Sequence, residues 1–173
     1  MIKDKMRDAL NQQIKEELES AYIYLSMAGY FHSQGLDGMA QWMKSQTVEE
    51  MVHAMKFFDH ITERDGRVEM LPLGIKKTEW SSPLEAFQEA YKHEQFITGK
   101  INELVGLANN EQDYAAHAML QWFVTEQVEE EASTSKVARE LELVGGKGDG
   151  LLMLDRELGQ RMIKIPPPQG EGE

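Results

Sequence analysis

The stretch RVEMLPLGIKKTEWSS, residues 67–82, decides which fold the sequence predicts. It has no hydrophobic periodicity and contains Pro72 and Gly74, so it favours neither a helix nor a strand. Long helical patterns lie on both sides of it. A connection of about sixteen residues without regular structure is unusual in a compact domain. It is long enough to run the length of a helical bundle, so we expect a crossover that makes the helices on either side parallel.

Clusters of glycine and proline divide the rest of the chain into four long helices and a short one. The predicted helices span residues 3–34, 37–65, 83–109, 113–144 and 151–162. Ser82 is the expected N-cap of the third helix, and Asp113 caps the fourth. The sequence therefore predicts an all-α fold, a four-helix bundle with one long crossover between helices 2 and 3 and a short fifth C-terminal helix. We expect residues 1–162 to form this domain and residues 163–173 to be a flexible tail rich in Pro, Gly and Glu.

Composition excludes several classes of function. The 173 residues include 30 acidic and 18 basic side chains, and the formal net charge of −12 argues against nucleic acid and anionic membranes as partners. The absence of cysteine excludes disulfides, thiolate nucleophiles and iron–sulfur clusters. No apolar run approaches the roughly 18 residues of a membrane helix, and the charged N-terminus does not have the pattern of a secretory signal. We expect a cytoplasmic protein that attracts cations.

Each long helix places a glutamate on its apolar face near mid-length. On helical wheels these residues are Glu17, Glu50, Glu94 and Glu130, and His53 shares the face of Glu50. Burying an ionised carboxylate is costly unless it is paired, and no Lys or Arg lies near the middle of these faces at the same level. We interpret the four glutamates as ligands of a bound metal.

The donor atoms indicate which metal. Glu50-x-x-His53 places a carboxylate and an imidazole one turn apart, which suits a first-row transition metal. Four carboxylates are too many for structural zinc, and calcium does not favour the nitrogen. Two iron ions bridged by a carboxylate fit best. Because the fourth helix offers Gln127-x-x-Glu130 instead of a second Glu-x-x-His, we expect one weaker metal position, which favours a site that oxidises iron and passes it on.

The same segments carry a resemblance to a known family. The chain is identified as a member of the prokaryotic non-haem ferritins, within the ferritin-like di-iron proteins, and the resemblance extends from about Met6 to Arg161. The matching segments include residues 10–13, 22–28, 49–56, 91–94 and 120–131.

The resemblance implies an iron storage protein with a ferroxidase centre, where Fe(II) is oxidised by O2 or H2O2. It implies Glu17, Glu50 and His53 as ligands of one iron. Glu50, Glu94 and Glu130 would then bind the other iron, with Glu50 bridging both. It also implies further neighbours of this centre.

The resemblance implies that Gln127 forms a hydrogen bond beside the ferroxidase centre. It also implies that Tyr24 and Trp122 are the aromatic neighbours of this centre. As a core aromatic Tyr24 would need no function, and its role at the centre rests on the resemblance. A third iron position lies near the inner surface of the family's shell. Its expected ligands are Glu49, Glu126, Glu129 and Glu130.

The family assembles into a hollow shell of twenty-four subunits that stores a ferric mineral. The sequence gives independent support for self-association, because the second helix carries another apolar stripe of Val48, Met51 and Met55. A lone bundle would expose this stripe, so a second copy is its natural cover. The short C-terminal helix corresponds to the family's fifth helix, near the four-fold axes.

Two alternatives differ from this interpretation. Bacterioferritins bind haem between subunits through a methionine just after the bridging glutamate, where this chain has Met51. Non-haem members also carry methionine there, and the missing second Glu-x-x-His counts against that alternative, so we expect no haem. The other alternative is a non-catalytic acidic helical scaffold, which would need no inward-facing carboxylates.

Overall fold

The computed structural model describes residues 1–74 and 77–162, so the predicted tail at 163–173 lies outside the described residues. Within those two ranges all regular secondary structure is helical, and the predicted all-α fold is confirmed. The helices are α1 (Asp4–Ser33), α2 (Asp37–Thr62), α3 (Pro83–Asn110), α4 (Tyr114–Val144) and α5 (Gly148–Leu158). In the same part of the chain, no helix is both long enough and apolar enough to cross a membrane.

The starts of α3 and α4 agree with the predicted caps. The side chain of Ser82 accepts a hydrogen bond from the backbone N–H of Glu85 at 3.1 Å. Asp113 Oδ1 accepts one from the N–H of Ala116, also at 3.1 Å. Each contact satisfies a backbone donor that the first turn of a helix leaves without a partner. α4 ends at Val144 and is followed by Gly145, whose φ of 68° is a left-handed conformation that glycine adopts without strain.

The second helix is shorter than predicted. It ends at Thr62, three residues before the predicted end at Asp65. Asp65 has a φ of 56°, and the N–H of Gly66 donates to the carbonyl of Ile61 at 2.9 Å. This is the hydrogen-bond pattern of a Schellman turn, in which the left-handed residue, here Asp65, ends the helix.

The fifth helix covers Gly148–Leu158 instead of the predicted 151–162, and it packs mainly on α2. Asp155 Oδ1 accepts a hydrogen bond from the N–H of Met39 at 2.8 Å, which satisfies a free donor at the start of α2. A Cβ on Gly38 would lie 1.7 Å from the carbonyl oxygen of Asp155. The close approach of α5 to α2 therefore requires glycine at position 38.

The connection between α2 and α3 is the predicted crossover. Near its start, Asn11 Nδ2 donates to the carbonyl of Arg67 at 3.2 Å. Near its end, the Trp80 ring lies 5.5 Å from that of Tyr30. The connection thus follows α1 from its first turns to its last. It returns the chain to the end of the bundle where α2 began, so α2 and α3 are parallel.

The bundle core consists of two apolar clusters with a polar layer between them. One cluster lies toward α5 and contains Phe31, Trp42 and Phe87. The other lies at the opposite end and contains Leu10, Phe57 and Phe123. The buried polar layer includes Glu17, Ser20, Gln46, Glu50, His53, Glu94, Gln127, Glu130 and Thr134. Each of the four long helices contributes to this layer.

Candidate metal centre

The four predicted glutamates are all buried in the polar layer, one from each long helix. Glu17 and Glu94 are 1% exposed, Glu50 is 2% exposed and Glu130 is 3% exposed. Ligand atoms of Glu17, Glu50 and His53 all lie within 4.8 Å of one another, so one cation could contact all three. His53 Nδ1 is 3.2 Å from Glu50 Oε2 and 3.9 Å from Glu17 Oε2.

A second group of ligand atoms adjoins the first. His53, Glu126 and Glu130 also have ligand atoms within 4.8 Å of one another. The carboxylate of Glu126, expected only at a third position, is therefore close to residues of the main centre. His53 belongs to both groups, so the two sets of carboxylates are neighbours.

Glu94 is held by hydrogen bonds to both of its oxygens. The hydroxyl of Tyr24 donates to Glu94 Oε1. Gln127 Nε2 donates to Glu94 Oε2 at 3.2 Å. Such contacts fix the orientation of a carboxylate before a metal binds. The structure thus places Tyr24 and Gln127 beside the same carboxylate.

Aromatic rings cover the imidazole of His53. The Trp122 ring lies 5.5 Å from it and the Phe123 ring 5.8 Å, both in edge-to-face arrangements. The Trp122 side chain is also partly exposed at the surface. These rings leave His53 little freedom to rotate and limit the access of water from this side.

Two glutamines that the sequence analysis did not select also orient the centre. Gln13 Nε2 donates to Glu17 Oε1 at 2.9 Å, and Gln46 Nε2 donates to Glu130 Oε2 at 2.8 Å. Gln13 precedes Glu17 by four residues, and Gln46 precedes Glu50 by four. The i, i+4 spacing on a predicted inward face was a signal that could have identified both.

Burial disfavours the ionised form of these glutamates. It raises the pKa of Glu17 to about 8, and the nearby Glu50 adds to the effect. Burial likewise raises the pKa of Glu94 and of Glu130 to about 7. The pKa of Glu50 is raised well above its ordinary value by burial and by the charges of Glu94 and Glu130. At neutral pH the cluster therefore retains protons that a cation must displace.

A cavity of about 230 Å³ opens beside the centre, between α2 and α4. We term it the acidic cavity, and its lining includes Trp42, Glu49, Glu126, Glu129, Glu130 and Arg161. The lining of this cavity includes every residue predicted for the third iron position. Arg161, which sequence analysis did not select, donates from Nη2 to Glu49 Oε2 at 2.6 Å. No sequence signal pointed to Arg161, because it lies beyond the end of α5.

We expect Tyr24→Phe to weaken binding at the metal position that uses Glu94. The substitution removes a hydroxyl whose hydrogen bond to Glu94 lowers the pKa of that carboxyl group. Without it, the carboxylate is less fixed in orientation and harder to ionise. Loss of such a supporting contact reduces metal affinity about 10-fold or more. Calorimetric titration with Zn²⁺ measures the effect, with Tyr114→Phe as the control because that side chain is 77% exposed. Equal affinities in the two variants would contradict the assignment.

Fold and site together define a class of protein: a four-helix bundle with a buried carboxylate and imidazole cluster able to bind metal ions. The sequence profile described as the ferritin-like domain matches residues 7–144. The chain belongs to the ferritin family.

Relatives with high sequence similarity extend over almost the whole chain. The bacterial non-heme ferritin of Bacteroides fragilis strain 638R is 38% identical over 161 residues, which cover 93% of this chain and 100% of the relative. The bacterial non-heme ferritin of Escherichia coli O157:H7 is 39% identical over 158 residues, 91% of this chain and 96% of the relative. The resemblance to prokaryotic non-haem ferritins is therefore confirmed.

Solved structures agree with this assignment. An open pore ferritin from the hyperthermophilic archaeon Archaeoglobus fulgidus is 49% identical, with a TM-score of 0.92 over 94% of this chain and 100% of that chain. A closed form of the same ferritin, engineered by site-directed mutagenesis, has a TM-score of 0.93 at 49% identity, over 95% of this chain and 100% of that chain. The ferritin-like fold predicted from the sequence is confirmed.

Proposed function

We propose that this protein stores iron, and that it oxidises Fe(II) at the buried cluster before the Fe(III) is deposited as a mineral. The observation that carries the proposal is the burial of four glutamates that, in the described part of the chain, have no lysine or arginine as an ion-pair partner. Among residues 1–74 and 77–162, no lysine or arginine forms an ion pair with Glu17, Glu50, Glu94 or Glu130. Since buried carboxylates are stable only when paired or protonated, the cluster is suited to a multivalent cation.

The ligand sets divide between two iron positions. Glu17, Glu50 and His53 would hold one Fe(II) ion, which agrees with the mutual distances of their ligand atoms. Glu50, Glu94 and Glu130 would hold the other, and Glu50 would contact both ions. Because anionic oxygen ligands stabilise Fe(III) more than Fe(II), this set favours oxidation of the bound ion.

The reaction balances with dioxygen or peroxide as oxidant. Two Fe(II) ions each give one electron to O2, which takes up two protons and leaves as H2O2. With peroxide as the oxidant, the O–O bond breaks, and two electrons and two protons yield two water molecules. Protons displaced from Glu17, Glu94 and Glu130 when iron binds are a local source, since the pKa of Glu17 is raised to about 8 and the pKa values of Glu94 and Glu130 to about 7.

A third iron position in the acidic cavity provides a path away from the centre. Glu49, Glu126 and Glu129 line this cavity together with Glu130, which also belongs to the buried cluster. Glu129 is exposed and Glu126 is half-buried, whereas Glu130 is buried. An ion that passes from Glu130 toward Glu129 thus moves from the bundle interior to its surface.

Storage requires a container, and the surface of the subunit supports self-association. Met51 and Met55 are 46% and 48% exposed, as the predicted apolar stripe on α2 requires. Tyr22 and Leu25 on the adjoining α1 are also exposed. We propose that copies of the chain cover this surface in a shell of twenty-four subunits. A monomer would leave these side chains in water.

The test combines oxidation with particle size. Fe(II) is added to the metal-free protein under anaerobic conditions, oxygen follows, and ferric absorbance is recorded alongside light scattering. The proposal predicts rapid oxidation and a ferric product that stays with a large, hollow particle. Slow oxidation at the rate of free Fe(II) would overturn the catalytic part, and a particle of monomer or dimer size would overturn the container.

The alternatives are less consistent with these observations. A non-catalytic acidic scaffold would not require a buried cluster of glutamates with raised pKa values. Neutral side chains would pack in the same place at a lower free-energy cost than buried carboxylates. The absence of haem stays a prediction, and Met51 is the residue on which it depends.

A further inference from the structure

We propose that the guanidinium group of Arg161 is a displaceable counter-ion of the acidic cavity, and that a third metal ion binds there only after Arg161 moves away. This inference rests on the proposed function, because it concerns the same route for iron. It assigns a gating role to a residue that comes after α5 and outside the four-helix bundle.

Arg161 occupies the position in which a cation would be expected. Its Nη2 lies 2.6 Å from Glu49 Oε2, and its guanidinium carbon lies 4.4 Å from the centre of the Trp42 ring. Three other glutamates line the same cavity, namely Glu126, Glu129 and Glu130. The guanidinium is therefore held by one carboxylate and one aromatic face amid an excess of negative charge.

The contact between Arg161 and Glu49 is incomplete in a way that favours exchange. Within residues 1–74 and 77–162, neither Arg161 Nη1 nor Glu49 Oε1 has a hydrogen-bond partner, although both atoms are buried. The pair is thus joined by a single hydrogen bond, not by the paired, two-bond contact that makes arginine–carboxylate interactions strong. The side chain of Glu49 is 9% exposed, so an unpaired oxygen there is costly and a cation would satisfy it.

A metal ion and Arg161 cannot share this cavity. Both would contact Glu49, and their positive charges would repel each other at such short distance. A divalent ion carries twice the charge of the guanidinium, and Glu49, Glu126 and Glu130, which all line the cavity, would attract it more strongly. The side chain of Arg161 is 21% exposed, so it has room to rotate toward solvent.

The fold explains how Arg161 reaches the cavity. The end of α5 approaches α2 closely. A Cβ added to Gly159, the residue after α5, would lie 3.1 Å from the Cα of Gly38 in α2. The hydrogen bond from Met39 to Asp155 adds a second point of attachment. Arg161 comes three residues after the end of α5. Its position is set by α5, yet its side chain can leave.

Calorimetric titration of the metal-free assembled protein with Zn²⁺, which is not oxidised, tests the proposal. In Arg161→Ala, we expect the affinity of the third ion per subunit to increase about 10-fold or more, since a competing charge-assisted hydrogen bond is gone. The first two ions should bind with unchanged affinity. Arg161→Lys should restore the weaker third site, because an ammonium group can pair with Glu49.

Two further variants separate gating from a general change of charge or packing. Arg139→Ala removes an exposed arginine whose hydrogen bonds, within residues 1–74 and 77–162, are to Ser135 of its own helix, and this variant should bind Zn²⁺ as the wild type does. Gly38→Ala leaves every residue of the cavity intact but pushes α5 away from α2, so it should reproduce the effect of Arg161→Ala.

The outcomes distinguish this proposal from the proposed function. If the wild type binds no Zn²⁺ at the buried cluster, the proposed function fails. If the first two ions bind normally and Arg161→Ala leaves the third unchanged, the gate is overturned while the storage function stands. Equal gains in Arg161→Lys and Arg161→Ala would also overturn it, because a cation at this position would then make no difference.

Discussion

Replacement of Glu50 by glutamine is expected to lower the initial rate of Fe(II) oxidation at least about 100-fold. Glu50 is the carboxylate proposed to contact both iron ions, and ligand atoms of Glu17 and His53 lie within 4.8 Å of its own. Loss of a residue that only supports a ligand already costs 10- to 100-fold, so loss of a shared ligand should cost more. Glutamine keeps the shape of the side chain, so a packing defect does not explain the loss.

The rate is measured from ferric absorbance after oxygen is mixed with protein loaded anaerobically. The matched control is Glu103→Gln on α3, where a side chain that is 71% exposed loses the same charge. That variant should oxidise iron at the wild-type rate. A Glu50→Gln variant that oxidises iron at a rate within about two-fold of the wild-type rate would contradict the assignment of Glu50. Such a difference is well below the tenfold change that corresponds to about 1.4 kcal/mol of activation free energy.

The metal-free protein should lose stability as the pH rises from 5 to 8, and Glu17→Gln should remove part of this loss. The native pKa of Glu17 is about 8, against an ordinary value of 4.5. Between these values the native state binds more protons than the unfolded state, so the free energy of unfolding falls with increasing pH. For Glu17 alone the fall is on the order of 3 kcal/mol by pH 8.

Thermal unfolding midpoints at equal protein concentration measure this effect, because an assembled particle does not unfold in two states. Glu17→Gln should raise the midpoint of the metal-free protein at pH 8 and have little effect at pH 5. The same variant should gain less from added Zn²⁺ than the wild type does. A Glu17→Gln variant that is less stable than the wild type at pH 8 would show that ionisation of the buried Glu17 does not destabilise the native protein.

Features encoded locally were predictable from the sequence. Ser82 and Asp113 cap α3 and α4 as expected, because an N-cap depends on residues within one turn. The burial of the inward glutamates was predictable too, since a carboxylate repeated on the apolar faces of four helices has no simple structural explanation. The crossover followed from the length and composition of one connection.

Features that depend on packing between distant segments were not predictable. The inward position of Gln46, one turn before Glu50, could be predicted, but its partner Glu130 on another helix could not. Arg161 reaches Glu49 only because Gly38 lets α5 approach α2. Each of these contacts joins residues far apart in sequence, for which a single sequence carries no periodic signal.

The most direct measurement of the central claim is a crystal structure of the assembled protein loaded with Fe(II) under anaerobic conditions, with anomalous scattering recorded at the iron absorption edge. We predict two strong iron peaks per subunit within the polar layer. One should contact Glu17, Glu50 and His53, and the other Glu50, Glu94 and Glu130. Iron peaks confined to exposed surface carboxylates, with none between the four helices, would contradict the account.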